Sequence, residues 1–190
     1  MRIVAGEWRG RTLAAPPGHG TRPTADRVRQ ALFDMLLHAP WGGRDAVEGA
    51  RVLDAFAGSG ALGLEALSRG AAHATFFEPD RAALGALRAN VARCGAEARS
   101  TIVARDVLTL TQPSPSGRGL GEGYSLVFLD PPYGQSLIPR ALARLRSTGW
   151  LTPGVLIIAE TGHAEASPLA GASLAERIHG AARLTIWREG

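Results

Sequence analysis

The chain has 190 residues, 45% apolar and 20% charged, with a formal net charge of +4, which suits one globular domain with a real core. Its single cysteine, Cys94, excludes an internal disulfide. No window approaches the roughly 20 apolar residues of a membrane span, and no signal-peptide run opens the chain, so a cytoplasmic protein with no membrane partner is expected. The positive surplus sits at one end: residues 1–30 hold Arg2, Arg9, Arg11, Arg22, Arg27 and Arg29 against only Glu7 and Asp26, and that clustering suits contact with phosphate.

In chain order, Arg2 to Ala5 and Arg11 to Leu13 read as the arms of a small hairpin around Gly6 to Gly10. Pro16 to Gly20 reads as a loop. Thr24 is placed to cap a helix from Ala25 to Leu37, on which Val28, Ala31, Leu32, Met35 and Leu36 recur at helical spacing. Residues 40–43 break it. An alternation then begins: strand 51–55, helix 61–68, strand 74–78, helix 81–94 ended by Gly95, strand 100–104, strand 125–129, helix 137–145 and strand 155–160. Two further strands, 173–178 and 182–187, flank Gly180 and predict an antiparallel pair. Strands that are continuously apolar and alternate with helices predict a doubly wound, mostly parallel sheet. Residues 111–123 are rich in Pro, Ser and Gly and read as a flexible insert. The predicted organisation is an N-terminal extension of residues 1–40 followed by a domain of residues 41–190.

Two motifs carry chemistry. Val52 to Gly63 joins a strand to a helix through a glycine loop. Gly58, Gly60 and Gly63 fit G-x-G-x-x-G, which on its own permits a dinucleotide. Asp54, just ahead of the loop, would sit poorly beside a pyrophosphate and well beside an ammonium, such as that in the methionine part of S-adenosylmethionine. Glu78, at the end of the next strand, can accept both hydroxyls of a ribose, which either cofactor carries. Asp106, after the third strand, can accept the exocyclic amine of adenine. The second motif is Asp130-Pro131-Pro132-Tyr133 after the apolar run 126–129. Proline fixes φ and has no N–H, so the pair makes a stiff corner at a strand's carboxyl end. Hydride transfer has no use for this corner, whereas methyl transfer to an aromatic amine does. Asp130 and the Pro131 carbonyl can each accept an amine N–H and aim the nitrogen lone pair, and Tyr133 can stack on the base.

The chain resembles the RsmD family of class I S-adenosylmethionine-dependent methyltransferases, bacterial enzymes that modify the N2 amine of a guanine in small-subunit ribosomal RNA. The resemblance rests on residues 1–11 (MRIVAGEWRGR), 22–29 (RPTADRVR), 53–70, Asp130 to Tyr133 and Gly149-Trp150-Leu151. Residues 1–11 and 22–29 are the specific part; the core and the corner are shared with many methyltransferases. The family implies a Rossmann-like α/β fold with a seven-stranded sheet whose last strand is antiparallel. It also implies S-adenosylmethionine as cofactor, and an N-terminal hairpin and helix that touch RNA. The expected cofactor residues are Asp54, Phe56, Gly58, Gly60, Glu78, Asp106 and Val107, and the expected catalytic residues are Asp130, Pro131, Pro132 and Tyr133. The expected RNA contacts are Arg9, Arg11, Arg22, Arg27 and Arg29, and the expected partner is 16S ribosomal RNA in an assembling or assembled small subunit, with the protein a monomer. Gln30 stands where the family pattern has Glu, and residues 111–123 are longer and looser than that pattern. The corner alone also serves a DNA adenine-N6 or a protein-glutamine methyltransferase, although a DNA enzyme needs a recognition domain that 190 residues leave little room for. A non-enzymatic RNA-binding protein is the remaining alternative, disfavoured by the intact Asp54, Glu78 and Asp130. The histidines and Cys94 show no metal-ligand spacing, so no metal is expected.

Overall fold

The apolar runs of the sequence become the centre of one seven-stranded sheet, as seen in a computed structural model that describes residues 1–16, 23–111, 123–165 and 173–190. The elements are α1 (Pro23–His38), β1 (Arg51–Asp54), α2 (Ala61–Ser68), β2 (His73–Phe77), α3 (Arg81–Cys94), β3 (Ser100–Val103), β4 (Tyr124–Leu129), α4 (Leu137–Ser147), β5 (Leu151–Gly162), β6 (Ala175–His179) and β7 (Ala182–Arg188). The strand order is β3-β2-β1-β4-β5-β7-β6. The first five strands pair in parallel, and β7 lies antiparallel between β5 and β6. This is the predicted α/β architecture with its antiparallel last strand. The reversal of order beside β1 and β4 creates the crevice where open α/β sheets bind ligands.

Because side chains alternate along a strand, the sheet divides its apolar residues between two cores. Val52, Phe76, Leu126, Phe128 and Ile158 face α1, α2 and α3, while Leu53, Phe77, Val127, Leu129 and Ile157 face α4. Leu126 to Leu129 are all at most 1% exposed, and burial of each such side chain is worth about 1.5–3 kcal/mol. That makes β4 a rigid stem for the corner at its carboxyl end.

The N-terminal segment shares the first core rather than forming a separate body. Ile3, Trp8, Leu13, Leu32, Phe33 and Leu36 are buried in it, and the Phe33 ring lies 5.8 Å from that of Phe128. The expected hairpin is reduced to a single antiparallel bridge, Arg2 with Thr12, supported by Ile3 N–H to Arg11 O and Leu13 N–H to Met1 O. Its strands are too short for a ladder because the backbone turns away to bond α2: Val4 and Ala5 donate to Glu65, and Glu7 donates to Ser68 O. Helix α1 begins at Pro23, so Thr24 lies inside it and is not its cap. Proline suits a first helical position, where no intrahelical N–H bond is lost.

Strand β5 begins at Leu151, earlier than the apolar run suggests. Tyr124 pairs with Leu151 and Leu126 with Leu156, so the residues around Pro153 and Gly154 bulge out of register. A proline cannot donate to the ladder, and Gly154 takes φ 77, which is why the pattern hides this strand's start. The expected insert at 111–123 falls almost wholly outside the described residues. Among the described residues, no helix is long and apolar enough to cross a membrane.

Candidate active site

Four carboxylates stand at the carboxyl ends of adjacent strands: Glu78 after β2, Asp54 at the end of β1, Asp130 after β4 and Glu160 near the end of β5. All four line one cavity of about 1050 Å³. They share it because they continue the same face of the sheet as Phe76, Val52, Phe128 and Ile158, two residues further along each strand.

The glycine loop closes one wall. Asp54 is 1% exposed, and its Oδ2 accepts Gly63 N–H at 3.1 Å. Burial pushes its carboxyl up to about 7, opposed by that N–H, reinforced by repulsion from Glu78 and opposed again by Phe56 N–H. Glu78 is similarly tied, accepting Gly58 N–H and Asp80 N–H, each at 2.8 Å. Gly60 has φ 79, and a Cβ there would lie 2.4 Å from Leu87 Cδ1; one at Gly63 would lie 2.3 Å from the Phe76 ring. The G-x-G-x-x-G spacing is therefore accounted for by turn geometry and by the close packing of α2 on β2, with no need for a dinucleotide. Gly60 itself does not line the cavity, whereas Phe56, Gly58 and Ser59 do.

Asp106 lines the cavity and caps the short turn 107–109, its Oδ1 accepting Leu108 N–H at 2.9 Å. That turn rotates Val107 away: its side chain is 1% exposed and belongs to the core under α4. Val107 is thus corrected as a side chain of the site, and Leu108 faces the cavity in its place.

The Asp130 corner forms the opposite wall. Asp130, Pro132 and Tyr133 line the cavity, and Pro131 lines an adjoining pocket of about 360 Å³ that Tyr133 and Glu160 share. Burial, then the Glu160 and Asp54 carboxylates, raise the Asp130 carboxyl well above the usual range. Tyr133 is 46% exposed and donates its hydroxyl to Glu160 Oε1 at 2.6 Å. Burial and that bond raise its phenol. Its ring stays accessible for stacking.

Glu160 escapes a reading of the sequence, although its signal matches that of Asp130, an acid closing a continuous apolar run, here Val155 to Ala159. Arg140 and the turn at His179 to Ala182 also reach the cavity wall. Among the described residues, no group of three His, Cys, Asp or Glu is arranged to hold a metal ion.

The candidate RNA arginines separate into two kinds. Arg9 and Arg27 are exposed, with no side-chain partner among the described residues; Arg11 is exposed and donates to Arg93 O. Arg29 is corrected as a surface contact. It is 4% exposed, paired with Asp26 at 2.8 Å and Glu65 at 3.4 Å, and it also donates to Arg2 O. Its charge is spent inside the fold. Arg22 lies outside the described residues.

The model of the family described as conserved hypothetical protein 95 matches residues 1–188. The ribosomal RNA small subunit methyltransferase D of Escherichia coli strain K12 is 42% identical over 161 residues, covering 85% of this chain and 74% of that protein. The solved structure of yhhF from Escherichia coli matches with a TM-score of 0.81 at 36% identity, covering 100% of this chain and 97% of that one. An RNA methyltransferase from Salinibacter ruber, crystallised with S-adenosyl-L-homocysteine, matches in fold with a TM-score of 0.60 at 14% identity, covering 90% and 93% of the two chains. With its corner, its glycine loop and its N-terminal signature in one continuous match, the chain belongs to the conserved hypothetical protein 95 family, that of the ribosomal RNA small subunit methyltransferase D proteins.

Proposed function

We propose that the chain transfers a methyl group from S-adenosylmethionine to the exocyclic N2 amine of a guanine in 16S ribosomal RNA. It acts in the cytoplasm, as a monomer, on an assembling or assembled small subunit. The observation that carries this reading is the Asp130-Pro131-Pro132-Tyr133 corner facing Asp54 and Glu78 across one cavity. The DNA and protein alternatives have no such support: the relatives that are 42% and 39% identical over 85% of the chain are named for ribosomal RNA.

The acceptors around the cavity fit the cofactor. Asp54, Glu78 and Asp106 are all carboxylates, complementary to an ammonium, a ribose diol and an amine, and ill matched to a pyrophosphate. When bound, S-adenosylmethionine supplies an electrophilic methyl group on a sulfonium. Asp54 and Glu78 would hold its methionine and ribose parts, with Asp106 beside the adenine. Asp130 and the Pro131 carbonyl accept the two N–H groups of the target amine and turn its lone pair toward the cavity, while Tyr133 fixes the plane of the base. Acceptors fixed where positive charge develops on nitrogen stabilise the transition state without reorganising. The methylated ammonium is acidic, so no strong base is required. The base must be unpaired or flipped to reach this cavity, at an unstacking cost of about a few kcal/mol.

Residues 1–40 form the RNA-contacting extension in this reading, with Arg9, Arg11 and Arg27 as surface contacts and Arg22 as a further candidate. The test is incubation with labelled S-adenosylmethionine and either naked 16S RNA or small subunits, followed by mapping of the product. Label in a guanine N2 is expected; label in DNA or protein alone would refute the reading. In the same system, Arg9→Ala with Arg27→Ala weakens RNA binding and lowers the slope of log K against log salt by about 0.7–0.9 for each phosphate no longer neutralised. An unchanged slope refutes phosphate contact there.

A further inference from the structure

The corner accounts for an exocyclic amine but does not tell one base from another, because adenine and guanine both present one. They differ at the neighbouring ring position. Guanine N1 carries a hydrogen and donates, whereas adenine N1 carries a lone pair and accepts. A residue that enforces guanine must therefore place an acceptor beside the amine-holding group.

Glu160 stands there. Leu129 of β4 and Ala159 of β5 are register partners, so Asp130 and Glu160 are the next pair across two strands spaced about 4.8 Å apart. The Glu160 charge is the chief neighbouring influence on Asp130, as such closeness requires. Oε1 of Glu160 is occupied by the Tyr133 hydroxyl, while Oε2 has no partner among the described residues. Its carboxylate lines the cavity together with Asp130 and Tyr133. The groups expected to hold the amine, stack the base and meet the ring edge thus form one linked set.

We infer that Glu160 accepts the N1–H of the target guanine and so selects guanine over bases with an unprotonated N1. The inference rests on the guanine reading above and adds the residue that enforces it. A flipped base is read by hydrogen bonds along its Watson–Crick edge. A site built to bond an N–H strongly rejects an analogue that lacks it, because an acceptor is left facing a lone pair. Tyr133 gives Glu160 a second role, since its phenol holds the carboxylate and the carboxylate holds the ring.

The test uses 16S RNA carrying guanine or 2-aminopurine at the mapped position, presented naked or in subunits, whichever form the labelled assay finds competent. 2-Aminopurine keeps the N2 amine and loses only the N1–H and the O6. The wild-type protein favours guanine by about 100-fold or more in kcat/KM, in line with a missing bond at a built polar site. Glu160→Gln, whose amide can turn its N–H toward a bare N1, narrows that ratio to about ten-fold or less, and Glu160→Ala narrows it as well. Tyr133→Phe removes the phenol bond, keeps the carboxylate and keeps the ratio. If the Glu160 variants slow both substrates equally and leave the ratio unchanged, Glu160 only holds Tyr133 and the inference is overturned. A wild-type protein that labels no guanine overturns the underlying reading instead, and is recognised before any variant is made.

Discussion

Asp130→Ala lowers methyl transfer by about 10²–10³-fold, the usual loss for one preorganised polar group at a reacting centre, while S-adenosylmethionine binding changes no more than a few-fold. The two effects separate because the cavity has two walls. Asp54 and Glu78 are tied to Gly63, Gly58 and Asp80 on the glycine-loop side, and nothing in those bonds depends on the corner. Asp130 is held by the rigid β4 stem and the two prolines after it, so alanine removes the acceptor without moving the chain. Asp130→Asn keeps one acceptor oxygen at the same place and loses less than alanine does. The same change also removes a repulsion, since Asp130 is crowded by Glu160 and Asp54. Asparagine should therefore leave the thermal midpoint unchanged or raised while activity falls. Single-turnover transfer and calorimetric cofactor binding, measured on the same preparations, decide it. Normal turnover by Asp130→Ala would remove Asp130 from catalysis, and abolished cofactor binding would reassign it to the cofactor wall.

Much of this site is legible in the sequence because it is built from strand ends. A continuous apolar run closed by an acid marks a carboxyl end in the crevice. That pattern alone puts Asp54, Glu78 and Asp130 together, and they do line one cavity. Glu160 obeys the same rule and closes the predicted strand 155–160, but β5 runs on to Gly162, and no glycine loop or proline corner follows Glu160 to mark it. Val107 is misplaced for a local reason: the Asp106 cap winds the next residues into a tight turn, and a single-residue rotation exchanges Val107 for Leu108 at the wall. Arg29 shows a different limit. Six arginines in the first 30 residues read as one basic arm, but charge counting cannot see a buried acid 36 positions away. The parallel pairing of β1, β2 and β3, and that of β4 with β5, follows from the helices α2, α3 and α4 between those strands. The near-absence of a ladder in the N-terminal hairpin does not, because its backbone donors are claimed by α2.

Glu65→Ala should cost about 3–5 kcal/mol of folding stability, the range for removing one partner of a buried ion pair. Glu65 is 0% exposed in the middle of α2, where alanine is otherwise the better helix former. Its Oε2 accepts Val4 N–H at 2.7 Å and faces Arg29 Nε at 3.4 Å; its Oε1 accepts Ala5 N–H at 3.0 Å and Arg69 Nε at 2.8 Å. Removing it strands two guanidinium groups that are 4% and 6% exposed, along with two backbone donors. The losses do not simply add, because Arg29 keeps Asp26 and Arg2 O, and Arg69 keeps Gln30 and the face of the Phe33 ring. Against a total stability of about 5–15 kcal/mol for a domain, the effect is large, and urea unfolding reads it as a lower midpoint at unchanged slope. It also has a location: amide exchange at Val4 and Ala5 should speed up before that of β4, since the segment loses its anchor while the sheet keeps its core. Ser68 still holds Ala5, Glu7 and Trp8, so the segment loosens and does not detach. RNA affinity should then fall even though Glu65 is remote from any surface contact, because Arg9 rides on that segment. A triple change of Glu65, Arg29 and Arg69 to apolar residues of similar size should recover the part of the loss that comes from the unpaired guanidinium groups, and leave the part that comes from the Val4 and Ala5 N–H groups. An unchanged midpoint for Glu65→Ala would mean that these arginines find other partners at no cost, and that the N-terminal segment is anchored by its apolar residues alone.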